Sequence, residues 1–330
     1  MKIDPTLRAL ADPTRLRIMR LLSSMELAVG ELAQVLGQSQ PRVSRHVRIL
    51  CDAGLAERRR EGSWAFLRIA IAEDAAPPLG AAVARLLNAA ELDDAAFAAR
   101  CAEDRRHLAA IRAGREVQAE AYFARHAGEW DRLRVLHSPD GPVEAALTKA
   151  LGGQTGALLD VGTGTGRIAE LLAASADHVT ALDKSPEMLR IARARLQHLA
   201  SGQADLVQGD FTALPFADAS FDTVVFHQVL HYAQAPEQVL AEAARVTRPG
   251  GRIAVVDFAA HDREDLRSGH AHARLGFSDE QMLALMTDAG FFAAPAAALP
   301  GQELTVKIWT GLRVGSAFNR MTEDRKTVLP

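Results

Sequence analysis

Two cysteines in 330 residues are too few for a disulfide scaffold, and Cys51 and Cys101 stand 50 positions apart. A reducing, cytoplasmic setting is the expectation. No apolar run approaches the ~18–20 residues of a membrane-spanning helix, so no membrane partner is expected. The opening Met-Lys-Ile-Asp-Pro-Thr-Leu lacks the apolar core of a secretory signal. No excess of one charge dominates: the net charge is −3, with 24% charged and 48% hydrophobic residues. Those are ordinary globular values, and the length suits about two domains.

The small net charge conceals a division. Residues 1–70 carry twelve Lys and Arg against seven Asp and Glu, and the remainder carries 26 against 34. The basic end is a candidate for nucleic acid, because neutralising phosphates supplies most non-specific affinity. Asp12 and Pro13 suit the start of a helix through Leu22. A short helix over Val29–Leu36 is stopped by Gly37. Ser39 would cap a second helix over Gln40–Leu50, with Val43, Val47 and Leu50 facing inward. Gly54 closes it, and residues 55–69 read as a hairpin turning at Glu61-Gly62. The order is that of a winged helix-turn-helix. Gln40, Arg42, Ser44, Arg45, His46 and Arg48 would face the major groove of double-stranded DNA, and Arg58, Arg59 and Arg60 the phosphates or minor groove.

Residues 10–22 and 39–55 resemble the ArsR/SmtB family of bacterial repressors. The resemblance implies a homodimer on an inverted-repeat operator, with the dimer helix in the stripe Leu79, Val83, Leu86 and Leu87. Many members bind metal through cysteines in the segment that here reads Glu26–Leu32. The matching positions are Ala28 and Gly30, which bind nothing, so no metal is expected. Cys51 and Cys101 remain as a conceivable redox pair. Asp93 or Asp94 would cap a further long helix containing Phe97, Cys101, Leu108 and Ile111.

The second half is arranged around Leu158-Leu-Asp-Val-Gly-Thr-Gly-Thr-Gly166. It reads as a buried strand entering a glycine loop, with a helix from Arg167. Gly162, Gly164 and Gly166 permit close backbone approach to a ligand. The dinucleotide fingerprint spaces its glycines G-x-G-x-x-G, whereas the spacing here is G-x-G-x-G. Asp160 precedes the loop, Asp183 ends the next apolar strand, and Asp210-Phe211 follows a third. Strands are expected at 156–161, 179–183, 205–208, 222–227, 252–258 and 303–310, with helices at 166–174, 186–199, 236–246 and 278–289. That alternation predicts a parallel sheet covered by helices on both faces, with an antiparallel edge.

The ordered acids and Arg248-Pro-Gly-Gly251 resemble the class I S-adenosylmethionine-dependent methyltransferases over about residues 120–312. The resemblance implies a Rossmann-like, seven-stranded, mostly parallel sheet. It also implies a cofactor site for S-adenosylmethionine or S-adenosylhomocysteine built from Asp160, Gly162, Thr163, Gly164, Gly166, Asp183, Lys184, Met188, Asp210, Phe211 and His227. The loop would approach the methionine part, Asp183 the ribose and Asp210-Phe211 the adenine. Tyr122 and Trp130 lie in a segment that would fold over the cofactor. His227 and His231 are candidate bases, with Asp257, His261, His270 and His272 behind them.

The expected organisation is a winged helix-turn-helix over 1–76, dimerisation and connecting helices over 77–119, a methyltransferase-like domain over 120–312 and a mobile tail over 313–330. The whole layout resembles S-adenosylhomocysteine-responsive ArsR-type regulators of methionine-cycle genes. Three functions are consistent with it: a repressor with an adenosyl effector, a working methyltransferase fused to its own repressor, and a thiol sensor.

Overall fold

The computed structural model describes residues 2–23, 25–61, 64–71, 78–131, 140–301 and 303–314. The tail beyond Val314 and the Gly62-Ser63 turn thus lie outside the described residues. Two compact units divide after Val117.

In the first unit, α1 (Ile3–Leu10) and α2 (Pro13–Leu22) precede β1 (Leu27–Ala28), α3 (Val29–Leu36) and α4 (Gln40–Asp52). The hairpin β2 (Ala56–Glu61) and β3 (Trp64–Ile69) follows, then α5 (Pro78–Asp93) and α6 (Ala95–His126), whose last residues belong to the second unit. The local signals act as expected at most ends. Asp12 Oδ1 accepts from Arg15 N at 3.0 Å, and Gly37 takes the left-handed conformation, φ 61°. Asp94 rather than Asp93 caps α6, accepting from Ala96 N and Phe97 N. Ser39 stands before α4 but makes no side-chain cap; Pro41 removes one of the amide donors such a cap would serve. Sheet order is β1-β3-β2. Val43, Val47 and Leu50 of α4 join Leu21, Leu32, Leu67 and Val83 in one core. Arg17 grips Asp104 through both carboxylate oxygens, and Arg20 meets Glu91. These pairs fix α2 against α5 and α6.

The second unit adds a short turn at Ala127–Glu129, α7 (Asp140–Leu151), β4 (Gly156–Val161), α8 (Arg167–Leu172) and β5 (Ala176–Asp183). Next come α9 (Pro186–Leu196), β6 (Ala204–Gln208), β7 (Phe221–His227), a turn at Leu230–Tyr232, α10 (Pro236–Val246) and β8 (Thr247–Phe258). The described residues end with α11 (Asp265–His270), α12 (Asp279–Asp288), β9 (Phe291–Ala293), β10 (Ala297–Pro300) and β11 (Thr305–Arg313). Sheet order is β10-β11-β8-β7-β4-β5-β6, with β9 also on β11. The five strands β6, β5, β4, β7 and β8 pair in parallel, and β9, β10 and β11 are antiparallel.

Neighbouring residues pack on opposite faces: Leu159, Val224 and Val255 on one, Leu158, Val225 and Val256 on the other. This two-sided burial is why the strands read as continuous apolar runs. The sheet has eight strands where seven were expected. The extra pairing uses three-residue β9 and alanine-rich β10, both too short or too weak in β preference to show a period. Arg248-Pro-Gly-Gly251 falls near the start of β8, where the register against β7 shifts between Phe221 and Thr223.

Candidate functional site

The strand order reverses at β4, flanked by β5 on one side and β7 on the other. In open parallel sheets such a switch point opens a crevice at the carboxyl ends of the strands. The register puts Val161 beside Leu182 and Phe226, and Asp183 beside Gln208. The residues singled out from the sequence therefore meet on one rim.

Asp160 is buried, and its Oδ2 accepts from Thr163 Oγ1 at 2.6 Å, which fixes the first turn of the loop. Gly162 has φ 70°, and a Cβ there would lie 2.6 Å from Val229 Cγ2. Gly164 has φ 56°, and its amide donates to Asp183 Oδ2 at 2.8 Å. Asp183 Oδ1 accepts from Ser185 N at 2.8 Å. Burial raises the Asp183 carboxyl above its ordinary range, against the lowering by these amides. Ser185 caps α9 through Met188 N, and Met188 itself is buried.

Asp210 Oδ1 accepts from Thr212 N and Oγ1, and its Oδ2 meets Lys184 Nζ at 3.0 Å. Its carboxyl is held low: burial works to raise it, and the Thr212 and Lys184 hydrogen bonds outweigh that. Lys184 also reaches Glu120 Oε1 at 2.9 Å. Phe211 packs at the edge of the core, and His227 is buried at the end of β7.

A second layer was not foreseen. Asp131 Oδ1 accepts from Thr165 Oγ1 at 2.7 Å, and Arg195 bonds both Asp131 and Thr165. Trp130, just before Asp131, places Nε1 3.6 Å from where a Gly164 Cβ would stand. The segment expected to fold over the cofactor is thus fastened to the glycine loop. No spacing rule points to Asp131 or Arg195, because their partner is a threonine inside another motif.

The backbone cradle, in which Gly162 has no room for a side chain, and the two strand-end carboxylates suit an adenosyl ligand carrying a ribose diol. Asp183 can accept from the hydroxyls, and Trp130 and Phe211 offer aromatic faces. Among the described residues, no group of three His, Cys, Asp or Glu is placed to hold a metal ion.

Of the candidate bases, the structure joins His231 to Asp257. His231 Nδ1 lies 2.7 Å from Asp257 Oδ1, and its backbone amide donates to Oδ2 at 3.1 Å. His270 Nδ1 meets the Tyr122 hydroxyl at 2.8 Å. His261 and His272 adjoin the same region through Phe258. Burial keeps Tyr232 protonated, far above its ordinary value.

In the first unit, α4 leaves Gln40, Arg42, Ser44, Arg45 and Arg48 exposed, and half-buries His46. His46 turns toward Asp12, Nδ1 to Oδ1 3.7 Å, and burial lowers its pKa despite that carboxylate. Arg58 and Arg60 are exposed on β2. Arg59, one residue out of phase with them, points the other way. It pairs with Glu26 and Glu61 at 3.1 Å and lies over Phe66 at 5.3 Å. Its guanidinium is committed within the unit, so the wing's outward cations are Arg58 and Arg60. Burial pushes both the Cys51 and Cys101 thiols up, which lowers the thiolate fraction that a redox role requires.

The comparisons with known proteins fall on the same two regions. The model of bacterial regulatory proteins of the arsR family matches residues 12–58, and a methyltransferase-domain model matches 159–255. A demethylmenaquinone methyltransferase of Clavibacter sepedonicus is 36% identical over 156 residues, 46% of this chain and 63% of that enzyme. A malonyl-[acyl-carrier protein] O-methyltransferase of Pectobacterium atrosepticum is 37% identical over 137 residues, 42% of this chain and 51% of that enzyme. The chain spans only part of the length of each. A chain from the complex between the Haloferax volcanii Trm112 methyltransferase activator and a putative methyltransferase superposes with a TM-score of 0.50. Its identity is 22%, and the match covers 58% of this chain and 98% of that one; this likeness concerns the fold. The protein therefore joins an arsR-family helix-turn-helix to a methyltransferase domain in one polypeptide.

Proposed function

We propose that the protein is a DNA-binding transcriptional regulator, a repressor of the ArsR type, whose methyltransferase domain takes S-adenosylhomocysteine or S-adenosylmethionine as effector. It would act as a homodimer on an inverted repeat and serve genes of the methionine cycle. The observation that carries the reading is the coexistence of two candidate sites in one chain. The outer face of α4 leaves Arg42, Arg45 and Arg48 exposed, and the glycine loop is fixed to Asp183 by a direct hydrogen bond. Coupling between them needs a ligand with different affinities for two states of the protein. Calorimetry with each adenosyl ligand, with and without operator DNA, tests it. Equal ligand affinity in both titrations would remove the effector role.

A second reading, that the domain also transfers its methyl group, has its own support. Asp257 and His231 form a buried acid–histidine pair beside the crevice, and the similar proteins named above are methyltransferases. S-adenosylmethionine would supply a methyl group on a sulfonium leaving group. This chain's residues would hold the adenosyl part, orient an acceptor in line and take up its proton, with much of the rate coming from positioning. Incubation with radiolabelled S-adenosylmethionine and hydroxylated aromatic acceptors tests this reading.

A further inference from the structure

His231 lies in the turn after β7 and is 1% exposed, and Asp257, at the end of β8, is 0% exposed. Asp257 holds the histidine twice, at Nδ1 and at the backbone amide, and its Oδ1 also accepts from Phe258 N at 2.8 Å. A carboxylate on Nδ1 keeps the ring proton on that nitrogen and leaves the lone pair on Nε2. Nε2 is buried and has no hydrogen-bond partner among the described residues. A buried acceptor without a donor is costly. The fold holds one here with its ring orientation fixed from behind.

The surroundings describe what Nε2 would meet. Tyr232 and His272 lie 4.0 and 4.2 Å from the His231 ring. Tyr232 is 4.9 Å from Phe123, edge to face, and Phe123 is 5.3 Å from Trp130. Trp130 stands over Gly164, so an unbroken run of rings leads from the glycine loop to His231. Both tyrosines of the chain are in this neighbourhood. Phe123, Trp130 and Tyr232 are half-buried, so part of each ring remains accessible.

We propose that His231 and Asp257 form a general-base pair for an acceptor bearing a hydroxyl on a planar aromatic ring, with Phe123, Trp130 and Tyr232 as the walls that receive the ring. The inference rests on the reading in which the domain transfers its methyl. The acceptor's O–H bond breaks and its proton moves to Nε2. The oxygen pair forms the new O–CH3 bond, and the pair of the broken C–S bond stays on sulfur. The positive charge passes from sulfonium to imidazolium, where Asp257 faces it. A phenol suits this base better than an alkyl alcohol. Its hydroxyl is far more acidic than an alkyl one, near the ~10 of tyrosine.

The test uses the full chain loaded with S-adenosylhomocysteine and 4-nitrophenol as probe, since its phenolate is coloured and its phenol is not. Calorimetry first establishes that the adenosyl ligand binds. The probe is then added one pH unit below its own pKa. Lowering the bound probe's pKa by one unit raises phenolate absorbance about fivefold. We expect that rise with the wild type, loss of it in His231→Gln and a smaller rise in Asp257→Asn. Retained adenosyl affinity in the variants shows that they fold. No rise with the loaded wild type, or an equal rise in folded His231→Gln, overturns the base pair while leaving the adenosyl site intact. Absence of adenosyl binding overturns the methyl-transfer reading and this inference with it.

Discussion

The amide of Gly164 donates a 2.8 Å hydrogen bond to Oδ2 of Asp183. It joins the glycine loop to the acid of the following strand, so the groups expected to meet the methionine and ribose parts of one ligand form a single structural piece. Asp183→Ala removes that bond and the acceptor for the ribose hydroxyls. Hydrogen bonds to a charged group contribute about 1.5–3 kcal/mol each. The variant should bind S-adenosylhomocysteine at least about tenfold more weakly by calorimetry. Its ligand-free operator affinity, by fluorescence anisotropy, should stay unchanged, because the residues proposed to face DNA belong to the other unit. An operator response to ligand equal to wild type would show that the pocket is elsewhere.

The same acid sets a pH dependence. Burial raises the Asp183 carboxyl above the ordinary value of 3.8, while Asp210 is held below it. In the proposed site ribose hydroxyls would donate to the ionised form of Asp183, so ligand affinity should rise as pH rises through the raised value and fall as pH drops through it. Asp210 remains ionised over that window. Calorimetric titrations in a series of weakly acidic buffers should therefore show a single-proton loss of affinity above pH 3.8. Asp183→Asn, which cannot titrate, should bind weakly and flatten the curve.

On the proposed DNA side the structure separates Arg59 from Arg45, Arg58 and Arg60. Arg45 is exposed on α4, Arg58 and Arg60 are exposed on β2, and Arg59 is tied to Glu26 and Glu61. Arg45→Ala should cost operator binding about 1–3 kcal/mol if it reads a guanine edge, with a smaller loss on random DNA. Arg58→Ala and Arg60→Ala should weaken both DNAs alike and reduce the salt slope by about one unit each. Arg59→Ala should leave the salt slope alone and lower the melting temperature, because it removes the cation paired with Glu26 and Glu61. Anisotropy at several salt concentrations, with thermal melts, distinguishes these outcomes.

The contrast between Arg59 and its neighbours shows where sequence reading stops. Three adjacent arginines look alike as a string. The pleat of β2 sends the middle one to the opposite face, where Glu26, 33 residues away, waits for it. The glycine loop, Asp183 and Asp210 were legible because each lies within a few residues of a strand end, and a parallel sheet brings strand ends to one rim. Asp131 and Arg195 were not, since their link through Thr165 depends on the packing of α9 beside the loop. The pairing of His231 with Asp257 spans 26 residues and two strands. Both residues were on the candidate list, but only the register of β7 against β8 joins them. The Ser39 cap failed for a local reason, the proline two residues on.

The first unit presents apolar side chains that its core does not use. Ile3 and Leu7, one helical turn apart on α1, are 58% and 55% exposed, and Leu86 on α5 is 56% exposed. Val83 and Leu87 of the same helix are buried in the core. Of the stripe read from the sequence as the dimer helix, Leu86 thus faces outward while Val83 and Leu87 face the core. Exposed apolar side chains on two helices of a small unit are a marker of association, and a homodimer through α1 and α5 is the prediction. Leu7→Glu and Leu86→Glu remove no contact from the monomer's core, so the double variant should keep its helical content by circular dichroism. Buried against a partner, each leucine would contribute roughly 1.5–3 kcal/mol, and two copies of each across a two-fold axis multiply the loss. The double variant should sediment as a monomer at micromolar concentration where the wild type is a dimer. Operator affinity should fall toward that for random DNA, since two half-sites about one helical turn apart need two linked recognition helices. A double variant that still sediments as a dimer would place the interface elsewhere, and a wild type that sediments as a monomer on operator DNA would remove the dimer altogether.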